Sequence, residues 1–415
     1  MTGSPGSAPT DPSRSGSTRP ATDPVPVHPV PTDSGPTDVP TDPVPVHLGI
    51  VIPSLHGGGA EFVCRQWIAE LARRGHRVTV YVYDRRQPVV PVPDGVSVEV
   101  FRPRWSPMRR LILPLWLKRT IADTAPAAVL SMLTYSNLVT LAASLLGSDE
   151  FPPVAISERT LAGLALTRER LRDRLVRALA RFVYRRAQAG IAISHPVAVD
   201  MLTTFKMRPD RVFVVPNPVL SADAIGSAPR NHRGSDEAGL HLAFVGRLVG
   251  RKRPELFLAV VDHLRSEGIS VRATVIGEGP LRAALERAAS ERGLPVTFVG
   301  WREPWWTAAE RIDCVVVASR VEGFANVLVE AAAEGIRCVA SGRALGVADA
   351  IIPGSTGELA MADSASDLAC AVLRAVERRP ADPVMVQGWL ARFSVENSAD
   401  CLLQALDHAI VERRR

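Results

Sequence analysis

The stretch that decides the fold lies between residues 47 and 84 and reads HLGIVIPSLHGGGAEFVCRQWIAELARRGHRVTVYVYD. The apolar run at 47–53 predicts a buried strand, and residues 60–74 show the 3.6-residue period of a helix. Residues 77–84 are rich in the β-branched and aromatic residues of a second strand. This order is typical of a βαβ unit with two parallel strands.

The same alternation continues along both halves of the chain. Residues 219–240 lie in a stretch rich in Pro, Ser, Gly, Asn and Asp, which is too long for an ordinary connection and predicts a domain linker. We therefore expect an α/β protein with two Rossmann-like, doubly wound domains facing a cleft, at 47–218 and 241–385. Further strands are expected at 127–133, 154–157, 190–194, 212–215, 241–245, 271–276, 296–299, 314–318 and 337–341.

Residues 1–46 differ from the rest in composition. They hold 12 of the 34 prolines and repeat the heptapeptide TDPVPVH. Such a segment buries too little apolar surface to offset its ordering entropy, so we expect a disordered tail. The tail carries a net charge of −3, which leaves +9 for the rest of a chain whose total is +6.

Composition also restricts location. The five cysteines lie at least 24 residues apart, which excludes a CxxC motif and argues against a disulfide framework. The N-terminus has no apolar signal segment. The uncharged stretch 125–147 is long enough for a membrane span, but its Pro, Ser, Thr and Asn residues favour a buried strand followed by a helix. We expect a cytoplasmic protein.

Four loops that follow predicted strands hold the candidate binding residues, because ligands of doubly wound sheets sit at the carboxyl ends of strands. In the first loop, Gly58 and Gly59 precede a helix, where backbone N–H groups can approach an anion. A tight turn without a ligand is one alternative. A dinucleotide site with Asp84 is another, although GGGAE differs from the GxGxxG spacing.

Two loops of the second half are basic or rich in glycine. Arg247 follows a strand and Lys252 precedes a helix, and a guanidinium and an ammonium on one loop suit a diphosphate. A solvated basic loop is the alternative. Gly277 and Gly279 close the next strand, where a plain strand-to-helix turn explains them equally well.

The fourth loop carries the most specific pattern, EGFANVLVE at 322–330. Gly323 permits a tight turn, and Asn326 is expected to cap the next helix, with Glu322 before the helix and Glu330 one turn into it. A phosphate could rest on the free helix N–H groups while the carboxylates accept bonds from ribose and sugar hydroxyls. Two glutamates that only favour the helix dipole are the alternative.

Together these loops resemble those of glycosyltransferase family 4, which contains retaining enzymes of the GT-B fold. The likeness rests on the strand–GGGAE turn, the Gly-Arg-x4-Lys loop, the Gly-x-Gly-Pro-Leu-Arg turn and the Glu-x7-Glu segment, and covers about residues 47–410. It implies a nucleotide-sugar donor, expected to be a UDP-sugar, bound mainly by the C-terminal domain. It also implies an acceptor on the N-terminal domain and a last helix, at 386–415, that crosses back to that domain.

The resemblance also implies roles for individual residues. Arg247 and Lys252 would hold the donor diphosphate, Glu330 the ribose, and Glu322 the transferred sugar. The remaining implied donor contacts come from glycines and backbone of the strand-end loops, at Gly58, Gly59, Gly277, Gly279, Phe324, Asn326 and Val327.

One position departs from the family pattern. Many relatives carry a histidine that contacts the donor sugar after the strand at 154–157, where this sequence has Glu158 and Arg159. Either side chain is expected to face the cleft. Chains with Ser-Glu-Arg here resemble enzymes that build cell-surface polysaccharides and lipid-linked oligosaccharides.

The chain has no Asp-x-Asp motif, so we predict no metal and no other cofactor. Cationic side chains and a helix dipole would offset the charge of the leaving group. No carboxylate stands out as the nucleophile of a double displacement. The resemblance therefore implies front-face attack assisted by the donor phosphate.

Two basic clusters lie in the N-terminal half. The first surrounds Trp105 and Trp116, and the second lies on a helix expected at 168–186. Basic side chains beside interfacial apolar residues fit a peripheral contact with an anionic surface on the inner face of the cytoplasmic membrane. A solvated Arg-rich face is the alternative. We expect no nucleic acid partner, because no recognised binding module is present. The apolar stripe expected on the second helix consists of Leu171, Leu175, Leu179 and Phe182.

These observations predict a hexosyltransferase that moves a hexose or N-acetylhexosamine to a polyprenyl-linked or cell-envelope glycan. One alternative is a glycosyltransferase of secondary metabolism with an acceptor such as an aminocyclitol. Two others are a Rossmann-type nucleotide-binding oxidoreductase or epimerase and a non-catalytic binding protein that resembles the GT-B fold.

Overall fold

The computed structural model describes residues 45–84, 91–102, 109–147, 151–165, 171–226, 239–378 and 382–414. The tail expected at 1–46 lies outside these ranges except for its last two residues. The chain forms two sheets that are parallel throughout, so the prediction of two Rossmann-like domains is confirmed.

The N-terminal domain is built on a seven-stranded sheet in the order β3-β2-β1-β4-β5-β6-β7. The strand order reverses between β1 and β4, so the loops after these strands border a crevice at the carboxyl edge. The strands are β1 (His47–Ile52), β2 (Arg77–Val82), β3 (Val96–Val100), β4 (Ala128–Met132), β5 (Val154–Glu158), β6 (Ala189–Ala192) and β7 (Val212–Val214). The helices are α1 (Gly59–Arg73), α2 (Arg109–Thr124), α3 (Thr134–Leu146), α4 (Ala162–Ala165), α5 (Leu171–Val183), α6 (His195–Thr203) and α7 (Ala222–Gly226).

The C-terminal domain has a six-stranded sheet in the order β10-β9-β8-β11-β12-β13, and its reversal falls between β8 and β11. The strands are β8 (Leu240–Val245), β9 (Val271–Ile276), β10 (Val296–Gly300), β11 (Cys314–Val317), β12 (Arg337–Ser341) and β13 (Gly357–Ala360). The helices are α8 (Pro254–Ser266), α9 (Arg282–Glu291), α10 (Asn326–Ala333), α11 (Ala365–Glu377), α12 (Pro383–Leu390) and α13 (Val395–Arg414).

Helix α1 shows how sequence spacing becomes packing. Val63, Trp67 and Leu71 recur every four residues and are all fully buried against the first sheet. The Trp67 Nε1 donates a 2.8 Å hydrogen bond to the Ser398 Oγ of α13, so the indole is satisfied although it is buried. The helix ends at Arg73, with Arg74 as its C-cap, because Gly75 adopts a φ of +82°.

Helix α13 packs on the N-terminal domain although it follows the C-terminal one. Its Leu402, Leu406 and Ala409 belong to the same buried cluster as Leu48 and Ile50 of β1. The segment expected to hold a single last helix instead contains the separate helix α12 and then α13. The expected linker contains α7, and its residues 227–238 lie outside the described ranges.

The uncharged stretch 125–147 forms strand β4 and helix α3, as its composition favours. Within the ranges that the structure describes, no helix is both long enough and apolar enough to cross a membrane.

Candidate active site

Three strand-end loops of the C-terminal domain meet at the carboxyl edge of its sheet. The loops after β8 and β9 touch so closely that a Cβ on Gly277 would lie 1.9 Å from the Gly246 oxygen. The loop after β11 joins them through a 2.9 Å hydrogen bond from Arg320 N to Arg251 O. Glycine at 277 is therefore required by close backbone approach, which is a stronger reason than a plain turn.

Lys252 and Glu322 form an ion pair across these loops. The Lys252 Nζ lies 2.5 Å from Glu322 Oε1, and both side chains are largely buried, at 22% and 9% exposure. The residues expected to bind diphosphate and sugar are thus in direct contact, and a ligand anion would share Lys252 with Glu322. Arg247 is exposed on the same loop and has no salt bridge within the described residues.

Glu330 lies on α10 behind this loop and is held by a residue that the sequence interpretation did not include. The Trp305 Nε1 donates a 2.6 Å hydrogen bond to Glu330 Oε2, which leaves Oε1 for another donor. Burial raises the pKa of the Glu330 carboxyl to about 7, while the bond from Trp305 opposes that shift. A carboxylate poised this way can accept ribose hydroxyls once it is ionised.

This pKa leads to a pH prediction for donor binding. The ribose contact that the resemblance implies for Glu330 requires a carboxylate, so that role predicts an affinity for a UDP-sugar such as UDP-glucose that rises as the pH rises through 7 and levels off above it. We expect binding about threefold to tenfold weaker at pH 6 than at pH 8, measured by calorimetry. The same series on Glu330→Gln should be flat, because its amide does not titrate. A parent profile that is already flat would contradict the role given to Glu330.

The start of helix α10 differs from the expected one. Asn326 does not cap the helix: the N-cap is Ala325, with a φ of +84° and no side-chain cap. The Asn326 Oδ1 instead accepts a 2.6 Å hydrogen bond from the Nδ2 of Asn217, a residue in the segment after β7. Asn326 is already the first helical residue and its amide is turned toward Asn217, so the prediction of a cap at 326 was wrong.

The turn at Gly323 is enclosed by both domains. A Cβ there would lie 2.4 Å from the Arg159 oxygen, and a Cβ on Gly346 would lie 2.3 Å from the Gly323 oxygen. That oxygen also accepts a 2.7 Å bond from the Ser194 Oγ of the N-terminal domain. The conformation of the loop that carries Glu322 therefore depends on both domains.

Glu158 does not face the cleft. It is 1% exposed and accepts hydrogen bonds from Thr134 (3.0 Å), Asn137 (3.2 Å) and the hydroxyl of Tyr184. Burial raises the pKa of its carboxyl to about 7, against the lowering effect of these donors. As the last residue of β5 it points into its own domain, so a contact from Glu158 to a substrate sugar is not supported.

Arg159 leaves β5 toward the opposite side. Its guanidinium lies 5.3 Å from the ring centre of Trp67, and its Nη2 donates a 2.5 Å bond to Asn217 Oδ1. The Nε and Nη1 atoms are buried without a partner. Burial lowers the pKa of Arg159 to about 9, which leaves it charged at neutral pH.

The remaining candidates lie at the ends of helices. Gly58 is the N-cap of α1 and Gly59 its first residue, with no side chain capping the helix. Phe324 buries its ring against Phe393 at 5.2 Å, so only its backbone is available to a ligand. Val327, in the first turn of α10, is half-buried, and Gly279 packs on the Leu248 backbone.

Trp305, Asn217 and Gly346 are the site residues that sequence reasoning missed. Trp305 and Asn217 follow β10 and β7, so the rule that binding residues follow strands could have found them. Gly346 follows β12 in the same way, but only the folded loop shows that it packs on the Gly323 oxygen. Among the described residues, no three His, Cys, Asp or Glu side chains are grouped so as to hold a metal ion.

Two facing Rossmann-like domains with a cationic, acid-lined crevice between strand ends define the GT-B class of two-domain α/β proteins. Residues 57–220 match the model of Glycosyltransferase Family 4, and residues 239–378 match that of Glycosyl transferases group 1. The chain belongs to glycosyltransferase family 4, as the resemblance implied.

Curated relatives are similar over different shares of their length. The chain is 30% identical to the glycosyltransferase EpsF of Bacillus subtilis over 32% of this chain, and that alignment spans only 37% of EpsF. It is 24% identical to a Campylobacter jejuni α-1,4-N-acetyl-D-galactosaminyltransferase named for a glycan on diphospho-undecaprenol, over 68% of this chain and 76% of the relative. It is 26% identical to the 2-deoxystreptamine glucosyltransferase of Streptomyces kanamyceticus, over 66% of this chain and 74% of that relative.

Solved structures share the fold. The lipopolysaccharide outer core galactosyltransferase WaaB superposes with a TM-score of 0.69 at 19% identity, over 87% of this chain and 99% of WaaB. Anabaena Alr3699/HepE, solved with UDP and glucose, superposes with a TM-score of 0.66 at 17% identity, over the same shares.

Proposed function

We propose that this protein is a retaining glycosyltransferase that moves a hexose or N-acetylhexosamine from a UDP-sugar to a lipid-linked or cell-envelope glycan. The observation that carries the proposal is the Lys252–Glu322 pair at the meeting point of three strand-end loops, one of which leads into α10, the helix that carries Glu330. This site offers cations for a diphosphate and carboxylates for hydroxyls. Those are the polar groups of a nucleotide-sugar.

The mechanism we propose needs no protein nucleophile. Arg247 and Lys252 stabilise the negative charge that develops on the diphosphate as the bond between the sugar C1 and the phosphate oxygen breaks. The acceptor hydroxyl attacks C1 from the same face, and its proton passes to the departing phosphate oxygen. Glu322, paired with Lys252, accepts a hydrogen bond from the sugar and holds the reacting carbon in place.

Release of UDP tests the proposal directly. The full chain is incubated with UDP-glucose, UDP-galactose or their N-acetylhexosamine counterparts, together with a polyprenyl-diphosphate glycan. We expect acceptor-dependent release of UDP with at least one pair, and an anomeric configuration in the product equal to that of the donor. No release with any pair would contradict the transfer activity, and an inverted product would contradict retention.

The relatives favour a lipid-linked acceptor and keep a soluble one as the second candidate. The Campylobacter jejuni relative is named for an undecaprenol-diphosphate glycan, whereas the Streptomyces kanamyceticus relative is named for 2-deoxystreptamine. Adding 2-deoxystreptamine to the same assay separates the two. The oxidoreductase and epimerase alternatives have no support from these relatives, which are glycosyltransferases.

Helix α5 supports contact with an anionic membrane. Its apolar stripe does not pack on the domain: Leu171, Leu175, Leu179 and Phe182 are all more than half exposed. A groove of about 710 Å³ beside it has no acidic residue among the described residues that line it. Exposed apolar side chains next to cations fit a helix lying in the headgroup region. The groove is lined by Arg174, Arg177, Ala178, Arg181, Thr203, Thr204 and Lys206.

The first basic cluster contributes less than expected. Trp116 packs inward, 5.2 Å from Phe101, because the apolar side of α2 covers the first sheet. Trp105 lies outside the described residues, as do Arg168 and Arg170 of the second cluster. Leu115 is the described apolar residue of this cluster that is more than half exposed.

We therefore expect the protein to co-sediment with vesicles containing phosphatidylglycerol and to be released as salt rises, since screening acts over about 8–10 Å. Replacing Leu175 and Leu179 by Ser should abolish sedimentation at every salt concentration. Met361→Ser, which removes an even more exposed apolar side chain from the other domain, should leave it unchanged. Equal binding to neutral and anionic vesicles, or to neither, would contradict the membrane role.

A further inference from the structure

Three side chains form a continuous hydrogen-bonded chain across the cleft. Arg159 Nη2 donates to Asn217 Oδ1 at 2.5 Å, and Asn217 Nδ2 donates to Asn326 Oδ1 at 2.6 Å. The first residue follows β5, the second follows β7, and the third begins α10 in the other domain. Asn217, in the middle, is 4% exposed.

Arg159 sets the direction of donation in this series of hydrogen bonds. An amide presents either its oxygen or its NH2 group to a neighbour, whereas a guanidinium only donates. Arg159 therefore requires Asn217 to present its oxygen on that side, and Asn217 must then offer Nδ2 to Asn326. Asn326 in turn must present Oδ1 to Asn217, so its own Nδ2 points away from this contact.

Asn326, at the far end of this series of hydrogen bonds, lies in the proposed nucleotide-sugar site. Asn326 Nδ2 has no hydrogen-bond partner within the described residues, and the side chain is only half-buried. Asn326 is the first residue of α10, the helix that carries Glu330 and follows the Glu322 loop. An NH2 group at this place suits a ligand atom with lone pairs.

We infer that Arg159, through Asn217, orients the amide of Asn326 so that Nδ2 donates to an oxygen of the bound nucleotide-sugar. This inference rests on the proposed function. The ligand atom is a diphosphate oxygen or a sugar hydroxyl, both of which accept hydrogen bonds. Arg159 and Asn217 act through Asn326 and are positioning residues.

Anchoring of Arg159 supports this role. The guanidinium is held by the Trp67 ring, and Trp67 is itself fixed by its bond to Ser398. A charged group kept in a buried place with two nitrogens unsatisfied is costly. Within the described part of the protein, the bond to Asn217 is the one hydrogen bond that this side chain makes.

Asn217→Asp tests the orientation. The new carboxylate forms an ion pair with Arg159 but has no proton to donate to Asn326 Oδ1. The Asn326 amide must therefore turn, and it then presents its oxygen to the bound nucleotide-sugar. We expect a roughly 10–100-fold loss of transfer at low donor concentration, with a thermal midpoint unchanged or raised. A purely structural contact would predict no loss, because the pair with Arg159 becomes stronger. The matched control is Asn397→Asp in the first turn of α13, which also removes an amide donor, in this case one that bonds to the Arg392 oxygen.

The Arg159 variants add a second comparison. Arg159→Lys keeps a group that only donates, whereas the amide of Arg159→Gln can turn and accept. Lysine should therefore retain more transfer activity than glutamine. Equal activity of the two variants would contradict the inference.

Side-chain NMR separates this inference from the proposed function. The chain has five asparagines, so selective 15N labelling yields few side-chain amide signals. Before any nucleotide is added, the Asn217 amide protons should exchange slowly and those of Asn326 quickly. In Asn217→Asp the Asn326 protons should become slow, because they now bond to a carboxylate. Unchanged exchange would overturn the inference even if the protein bound no nucleotide.

Ligand titration then identifies the partner atom. A shift of the Asn326 signal with UDP indicates a phosphate oxygen, and a shift with UDP-glucose alone indicates a sugar hydroxyl. If calorimetry shows binding while the signal responds to neither, the inference fails and the proposed function stands. If neither nucleotide binds, the proposed function fails.

Discussion

Glu330→Ala is expected to lower kcat/KM for the donor by about 30–1000-fold, or about 2–4 kcal/mol of transition-state stabilisation. The change removes the acceptor proposed for the ribose hydroxyls and leaves the Trp305 Nε1 without its partner. Arg247→Ala should cost a similar amount, because it removes a cation proposed to stabilise the departing diphosphate. Steady-state assays with UDP release as the readout measure both effects.

Other variants show which part of the nucleotide-sugar each site residue contacts. Glu322→Ala should lower kcat while UDP affinity stays near that of the parent, since its proposed partner is the sugar. Lys252→Met should lower the activity by a smaller factor in the Glu322→Ala variant than in the parent protein, because the two side chains form one pair. Glu291→Ala, an exposed acid at the end of α9, is the control and should match the parent. Parental UDP binding and turnover in all the site variants would refute this site.

Gly277→Ala is expected to destabilise the C-terminal domain by about 3–5 kcal/mol. Gly277 has a φ of +149°, and the new Cβ would lie 1.9 Å from the Gly246 oxygen, so backbone strain and a steric clash combine. The thermal midpoint should fall on the order of 10 °C. Because Gly246 precedes Arg247, donor binding should weaken as well.

The matched control for this change is Gly250→Ala. Gly250 lies on the loop after β8, and a Cβ there would meet nothing within 4 Å. Its midpoint should stay within about 2 °C of the parent, since surface substitutions without such contacts change stability little. Similar losses in both variants would mean that loop composition, and not close approach, explains the glycine at 277.

Much of the secondary structure was readable in the sequence. The expected strands at 271–276 and 337–341 match β9 and β12, because these buried strands are short apolar runs bounded by clear breaks. Strands β3 and β13 were missed. Both lie at outer edges of their sheets, and β3 is only partly buried, so it lacks the apolar pattern of a central strand.

The candidate site was readable only in part. The glycines, Lys252, Glu322 and Glu330 lie on loops that a strand-end rule selects, and the structure joins these loops at one edge. The ion pair between Lys252 and Glu322 was not readable, because the two residues lie 70 positions apart and only the order β8-β11 makes their loops neighbours.

The sequence by itself determined the class of fold, because apolar periodicity and glycine turns are local properties that repeat along both halves. Only the tertiary structure decided that Glu158 is not the one of the pair Glu158 and Arg159 that faces the cleft. The register of β5 on β6 makes Glu158 the last strand residue and turns it inward. The tertiary structure also decided the partner of Asn326. A cap is a local choice, but a bond to Asn217, 109 residues away, forms only when two domains bring their strand ends together.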